Sequence, residues 1–412
     1  MTTSKELMVE AAAAAGPELA FGPDEYRSRL DRVRAAMASA NLDLLFLSAP
    51  ESICYLSGYQ AEWYQAQSPV DWHPASGIMI RADADDYLHF EEEDEVILAP
   101  LTSVSRDLRF HPHDGSLMID FIVGTCKGQG WLPGRVGLEM WSYRPNRIVS
   151  ERFQAALEAA GCQVADATQI VRGARGRKSP QELAYTRTAQ QIADIGMAAA
   201  RDAIAPGVTE LQVYGEIVAA MARAGGENPG ITMPVASGVR SACVHGLASR
   251  RVIMQGDIVN VDVSGVYHRY HANMARCFSV GEPDPLVRAA VEKVYGAVPV
   301  AAETFRPHLP VRDLLDRMER YYADAGILQD NWWIGGYELG IAFPPDWVGE
   351  FYYELGTDPG DSVFEPGMVV NYEANFYLPQ AAGMAMCINT LAFTETSAEF
   401  LQSTPAELIV ID

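Results

Sequence analysis

Two carboxylates sit at the ends of apolar runs. Asp262 closes Gly256-Asp257-Ile258-Val259-Asn260-Val261-Asp262, and Glu373 closes Pro366-Gly367-Met368-Val369-Val370-Asn371-Tyr372-Glu373. A buried carboxylate without a partner is expensive, so each needs a cation, a donor or a ligand. The bland alternatives are a structural ion pair for Glu373 and a turn cap ahead of Ser264-Gly265 for Asp262. His245 and His271 add imidazoles, which give and take protons near neutrality. Taken alone, His245 reads as a surface-loop histidine, and His271 equally as a satisfied core histidine. Arg276 reads as a structural ion-pair partner. His111-Pro112-His113 has a metal-binding look, but no further ligand lies nearby, and it reads as an exposed loop.

These residue types suit a small cationic or zwitterionic substrate. A planar amidinium can form paired charge-assisted bonds with Glu373. Water attack on an amidine carbon needs a base and then an acid at the leaving nitrogen, and one imidazole can serve as both. Asp262 can orient that machinery or hold a second cationic group. Trp63, Tyr64, Trp332, Trp333 and Trp347 can box a cation. Polar Gln60, Glu62, Gln65 and Gln67 surround Trp63 and Tyr64, which is loop chemistry.

The elements that must position these residues fall into two halves. In the first, helices are predicted over 24–41, 51–56 and 145–160, and strands over 42–47, 76–80, 87–90 and 135–138. The basic, glycine-rich stretch 171–177 reads as a linker. Ser179-Pro180-Gln181-Glu182 then has the pattern of a capping box with proline at the first helical position, so a long helix is predicted to about residue 204. Thr209 caps another. Strands are predicted over 257–263 and 275–280 with a turn at Ser264-Gly265-Val266. Helices are predicted over 285–302 and 311–325, and a strand over 366–373.

Composition sets the bounds. The chain has 412 residues, is 49% hydrophobic and carries a formal charge of −23, enough to bury a large core and unsuited to nucleic-acid phosphates or an anionic membrane. Its six cysteines include no Cys-x-x-Cys pair and read as reduced thiols. No apolar run reaches the length of a membrane span, and no signal-peptide pattern opens the chain. A cytoplasmic location is expected.

In combination, these motifs resemble the pita-bread superfamily of methionine aminopeptidase, aminopeptidase P, prolidase, creatinase and ectoine hydrolase. The likeness spans nearly the whole chain. It implies an α/β N-terminal creatinase-like domain over 1–172 and an α+β pita-bread C-terminal catalytic domain over 178–412. Metallopeptidases of that superfamily bind two metals through two Asp, one His and two Glu. Carried over, the first Asp is Asp262 and the first Glu is Glu373. The second Asp falls on Asn273, the His on Tyr337, and the second Glu on the carboxylate-free Cys387-Ile388-Asn389. No metal and no cofactor is therefore expected.

The metal-free branch fits better. In creatinase a proton-handling His lies eleven residues before a Gly-Asp, which is where His245 stands relative to Gly256-Asp257. The Glu of its Pro-Gly-Met-Val-Val strand contacts the cationic group, matching Glu373. Its second Glu falls on Ala275 and its C-terminal His on Ile388, which speaks against creatine itself. Ectoine hydrolase is the nearer likeness, through Gly336-Tyr337-Glu338-Leu339-Gly340, Pro344-Pro345-Asp346-Trp347 and Arg269-Tyr270-His271. The resemblance implies His245 and Glu373 as catalytic, with Asp262, His271, Tyr337, Trp63, Tyr64 and Trp347 binding substrate. It also implies a homodimer in which the 59–64 loop reaches the partner's site. The expected activity is metal-independent hydrolysis of a non-peptide C–N bond, amidine or amide, in a small polar compound. A non-catalytic binding protein, or a metal-dependent Xaa-Pro dipeptidase or lyase, is the alternative.

Overall fold

The computed structural model describes residues 3–60, 76–111 and 117–412. The chain forms two compact units, one ending at Arg175 and the other running from Gly176 to Asp412. The first is α/β. Its strands are β1 (Leu44–Leu47), β2 (Gly77–Arg81), β3 (Tyr87–Glu92), β4 (Asp107–His111), β5 (Arg135–Leu138) and β6 (Gln163–Asp166). Among the described residues they form one sheet in the order β4-β3-β2-β1-β5-β6. Leu44 and Phe46 of β1 pack with Ile122 of helix Met118–Gly128 and Val149, Phe153 and Leu157 of helix Arg147–Ala159.

Two expectations for this unit need correction. The 171–177 stretch is no linker: helix Thr168–Gly176 covers most of it, with Asp166 accepting from the Thr168 backbone at 3.0 Å and Val171 buried. His111 is not in an exposed loop but is buried at the end of β4, where its ring approaches Phe121. His113, like Trp63 and Tyr64, lies outside the described residues.

The second unit is built on β7 (Val235–Ser237), β8 (Ile258–Tyr267), β9 (Tyr270–Val280), β10 (Asn331–Tyr337), β11 (Tyr352–Glu354), β12 (Val369–Leu378), β13 (Gly383–Phe393), β14 (Ala398–Phe400) and β15 (Ile409–Ile411). The main path of its sheet runs β11-β10-β12-β13-β9-β8-β7 among the described residues. The predicted caps are present. Ser179 with Glu182 opens helix Pro180–Ala203, and Thr209 with Gln212 opens helix Glu210–Arg223. These two helices share a core with Val259, Val261 and Val263 of β8. Helices Pro285–Tyr295, Ala297–Thr304 and Val311–Asp324 share another with Val370, Tyr372, Ala374 and Phe376 of β12. The predicted single helix 285–302 is thus two, divided at Gly296.

Strand side chains alternate between faces. Val259, Val261 and Val263 of β8 and Val370, Tyr372, Ala374 and Phe376 of β12 pack toward helices, so Asp262, and likewise Asn371, Glu373 and Asn375, lie on the opposite face of their strands. Register aligns them. Asp262 pairs with Ala275, Ala275 with Ile388, Ile388 with Glu373 and Glu373 with Gly335, one row across five strands.

The β8–β9 turn differs from expectation. It falls at His268 and Arg269, both with positive φ, and Ser264-Gly265-Val266 lies inside β8. Gly265 marks a close approach instead: a Cβ there would sit 1.8 Å from the Ala189 carbonyl oxygen of the covering helix. With no turn to cap, that structural alternative for Asp262 falls away. Among the described residues, no helix is long and apolar enough to cross a membrane.

Candidate active site

Glu373 is held on both sides by its own strand. Asn371 Nδ2 donates to Oε1 at 2.7 Å, and Asn375 Nδ2 to Oε2 at 3.1 Å. The Tyr337 hydroxyl lies against the same carboxylate and, with the two amides, favours its charged form. Burial is the larger effect and pushes the pKa up to about 7. Asp262 is also buried, and desolvation followed by the Glu373 charge raises it well above the usual carboxylate range. Asp262 Oδ1 has no hydrogen-bond partner. Two carboxylates near each other in low dielectric resist ionising together.

Tyr337 ends β10, and its hydroxyl accepts from Trp347 Nε1 at 3.0 Å. Burial and then the charges of Glu373 and Asp262 raise its phenol well above normal, so it stays protonated. Its backbone N–H donates to Asn371 Oδ1 at 2.7 Å. This close approach requires Gly336, where a Cβ would meet the Asn371 carbonyl oxygen at 2.0 Å. Lys178 forms a buried ion pair with the neighbouring Glu338, and its own N–H bonds Gly367 at 2.8 Å, steadying the ends of β10 and β12.

The remaining predicted residues divide. His245 is exposed, in the turn after the short helix Gly238–Ala242, with its ring edge-on to Trp332 at 6.0 Å. Its loop is tied to the site through backbone: Leu247 bridges Pro234, whose carbonyl accepts the Asp262 N–H at 3.1 Å. No hydrogen bond joins His245 to Asp262 or Glu373 among the described residues, so any proton it moves travels through water or substrate. His271 is fully buried, and both nitrogens are taken. Nε2 accepts from the Gly230 N–H at 2.9 Å, and Nδ1 meets the Arg269 carbonyl at 2.8 Å. Burial and then Arg269 push its pKa down to about 3. His271, expected to bind substrate, therefore has no ring nitrogen left to do so and is held as a neutral histidine by Gly230 and Arg269. Arg276 is structural too, but not as an ion pair. It donates to the carbonyls of Ala275, Ile388, Thr404 and Pro405 and to Asn389 Oδ1. Trp347 supports Tyr337.

Asn371 and Asn375 escaped the sequence reading. Their signal was there, in the alternation Asn371-x-Glu373-x-Asn375 along a strand whose intervening residues are apolar or aromatic. Such spacing places three polar side chains on one face.

Residues 184–395, just over half the chain, match metallopeptidase family M24, and residues 29–176 match the creatinase/prolidase N-terminal domain. The chain belongs to family M24. It is a hydrolase of the pita-bread superfamily with the two-domain architecture of that group. It is 28% identical to an ectoine hydrolase of Halomonas elongata over 95% of this chain and 98% of that protein. It is 25% identical to an Xaa-Pro dipeptidase of Pyrococcus furiosus, over 93% of this chain and all of that one. In fold it is similar to a prolidase of Pyrococcus horikoshii, with a TM-score of 0.77 covering 93% of this chain and 100% of that chain, at 22% identity.

The family name implies a metal, and the donors present do not fit one. Asp262 and Glu373 are the carboxylates of the cluster; Asn273, Asn371 and Asn375 are neutral amides and Tyr337 a protonated phenol. Ile388 stands opposite Glu373, where no donor is possible. Among the described residues, no group of three or more His, Cys, Asp or Glu side chains could hold a metal ion. A transition metal needs several anionic or imidazole ligands converging.

Proposed function

We propose that this protein is a metal-independent hydrolase of a non-peptide C–N bond in a small polar or zwitterionic compound, ectoine-like first and creatine-like second. Glu373 holds the cationic group, and His245 carries the proton from the attacking water to the leaving nitrogen. Tyr337 and Asp262 complete the binding surface, and Trp347 fixes Tyr337. The observation that carries this reading is the clamp on Glu373: two strand amides and a phenol fix the orientation of a buried carboxylate, as paired charge-assisted bonds to an organic cation require. The likeness to an ectoine hydrolase over almost the full length supports the same direction. We also propose that the working unit is a homodimer, the commonest symmetric assembly.

A second reading, an Xaa-Pro dipeptidase, is favoured by the dipeptidase relatives. The donor set opposes it. Incubating the purified protein with ectoine, creatine, small amides and Xaa-Pro dipeptides, with products followed by mass spectrometry, separates the two. Hydrolysis of a non-peptide compound supports the first reading. Turnover confined to Xaa-Pro dipeptides refutes it. A monomeric mass with full activity would refute the homodimer.

A further inference from the structure

Asn273 carries a buried donor with nothing to bond. Its residue is fully buried on β9, and its Nδ2 has no hydrogen-bond partner. The amide's orientation follows from a chain that begins at backbone. The Tyr337 N–H fixes Asn371 Oδ1, so Asn371 Nδ2 faces outward to Glu373 Oε1 at 2.7 Å and to Asn273 Oδ1 at 3.4 Å. With its oxygen so engaged, Asn273 presents its nitrogen. Asn273 pairs with Ser264 and Ala275 with Asp262, which makes Asp262 the diagonal neighbour on β8, on the same face and with its own Oδ1 unpaired. A buried donor left unpaired is costly, and folded chains keep few of them. Beside Glu373, a ligand atom that completes the bond explains its retention.

That atom must accept a hydrogen bond. An amidinium offers only donors. A carboxylate would lie beside Asp262 and Glu373, neither of which has a Lys or Arg partner among the described residues. A neutral carbonyl oxygen meets the requirement without adding charge.

We propose that Asn273 Nδ2 holds the carbonyl oxygen of an amide substrate. This rests on the hydrolase reading above and narrows its substrate from amidine or amide to amide. In the reaction, the oxygen of water bonds to the carbonyl carbon and the C=O π pair moves onto the oxygen held by Asn273. That pair returns as the C–N bond breaks. The bonding electrons leave on nitrogen, which takes the proton that water gave up through His245. A preset N–H strengthens as charge grows on the oxygen. In an amidine the π pair moves onto nitrogen, and Asn273 would have no oxygen to hold.

Two probes of one ring size test this by ligand-observed NMR titration: 2-piperidone, a lactam, and 2-iminopiperidine, an amidinium. Asn273→Ala should weaken 2-piperidone about tenfold or more and change 2-iminopiperidine by less than about threefold, the loss of one hydrogen bond. Retained 2-iminopiperidine binding shows that a variant is folded. In the parent chain, where no variant is needed, the Asn273 side-chain amide resonance should shift with 2-piperidone and stay with 2-iminopiperidine. Equal losses for both probes, no loss for 2-piperidone, an unmoved Asn273 resonance, or no 2-piperidone binding by the parent chain would overturn the assignment. Selective binding without turnover of any amide would instead sink the hydrolase reading and leave Asn273 as a carbonyl-binding donor.

Discussion

Glu139 and Glu373 are both buried carboxylates, one in each unit, and burial raises the pKa of both. Glu139 takes the backbone N–H groups of Ser48 and Ala49 at 2.8 and 2.7 Å and the Ser52 hydroxyl. Those donors open helix Pro50–Ser57, so the carboxylate caps a helix and its bonds close a fold-stabilising circuit. Glu373 takes side-chain amides, faces a second carboxylate, and has unpaired polar atoms on Asp262 and Asn273 beside it. Burial alone therefore does not mark a site. What distinguishes the second cluster is that its partners are side chains and that polar atoms beside it are left unpaired, which a ligand can use.

The largest effect that would sharpen this contrast is on turnover. His245→Ala should lower kcat about 10²–10⁴-fold, the usual contribution of a positioned acid–base group, while the melting temperature stays near that of the parent because His245 is exposed. Glu373→Gln should raise KM, lower kcat, or both. Near-normal kcat in His245→Ala removes the proton shuttle from the mechanism. Glu139→Ala should do the reverse: it strands two backbone donors and should cost about 1–3 kcal/mol of stability in chemical denaturation, with kcat of the folded fraction unchanged. A kcat loss there without a stability loss would break the comparison.

A smaller effect concerns pH. The pKa of Glu373 is raised from 4.5 to about 7, so its folded form prefers the proton. The associated stability is fully present below pH 4.5 and is lost as pH rises through about 7. Glu91, buried in β3 with Oε1 unpaired, behaves alike, from 4.5 to about 8. Glu373→Gln should flatten the fall in melting temperature up to about pH 7, and Glu91→Gln up to about pH 8. Unchanged pH profiles in both variants would show that neither carboxylate is buried as described.

Much of the frame was legible in the sequence because local rules fix it. Ser179-Pro180-Gln181-Glu182 and Thr209 start helices where capping chemistry requires. Asp262 and Glu373 stood out as carboxylates in apolar strands. Gly265 misled, since a glycine that serves a close helix approach and one that serves a turn look alike until the Ala189 carbonyl is located. His271 was ambiguous for the same reason: the groups that satisfy its nitrogens, Gly230 and Arg269, belong to tertiary structure and to the true position of the turn. Arg276 bonds carbonyls from a distant segment at Thr404 and Pro405, which no local pattern announces.

Metal independence is tested most directly on one sample, by measuring its metal content and its turnover together. After prolonged chelation, the protein should hold well under one equivalent of transition metal and should still cleave its amide or amidine substrate at the rate of the untreated protein. Added manganese, cobalt, iron or zinc should not raise that rate. Loss of turnover on chelation, restored by one of those metals, would contradict it and return the chain to the metallopeptidase reading.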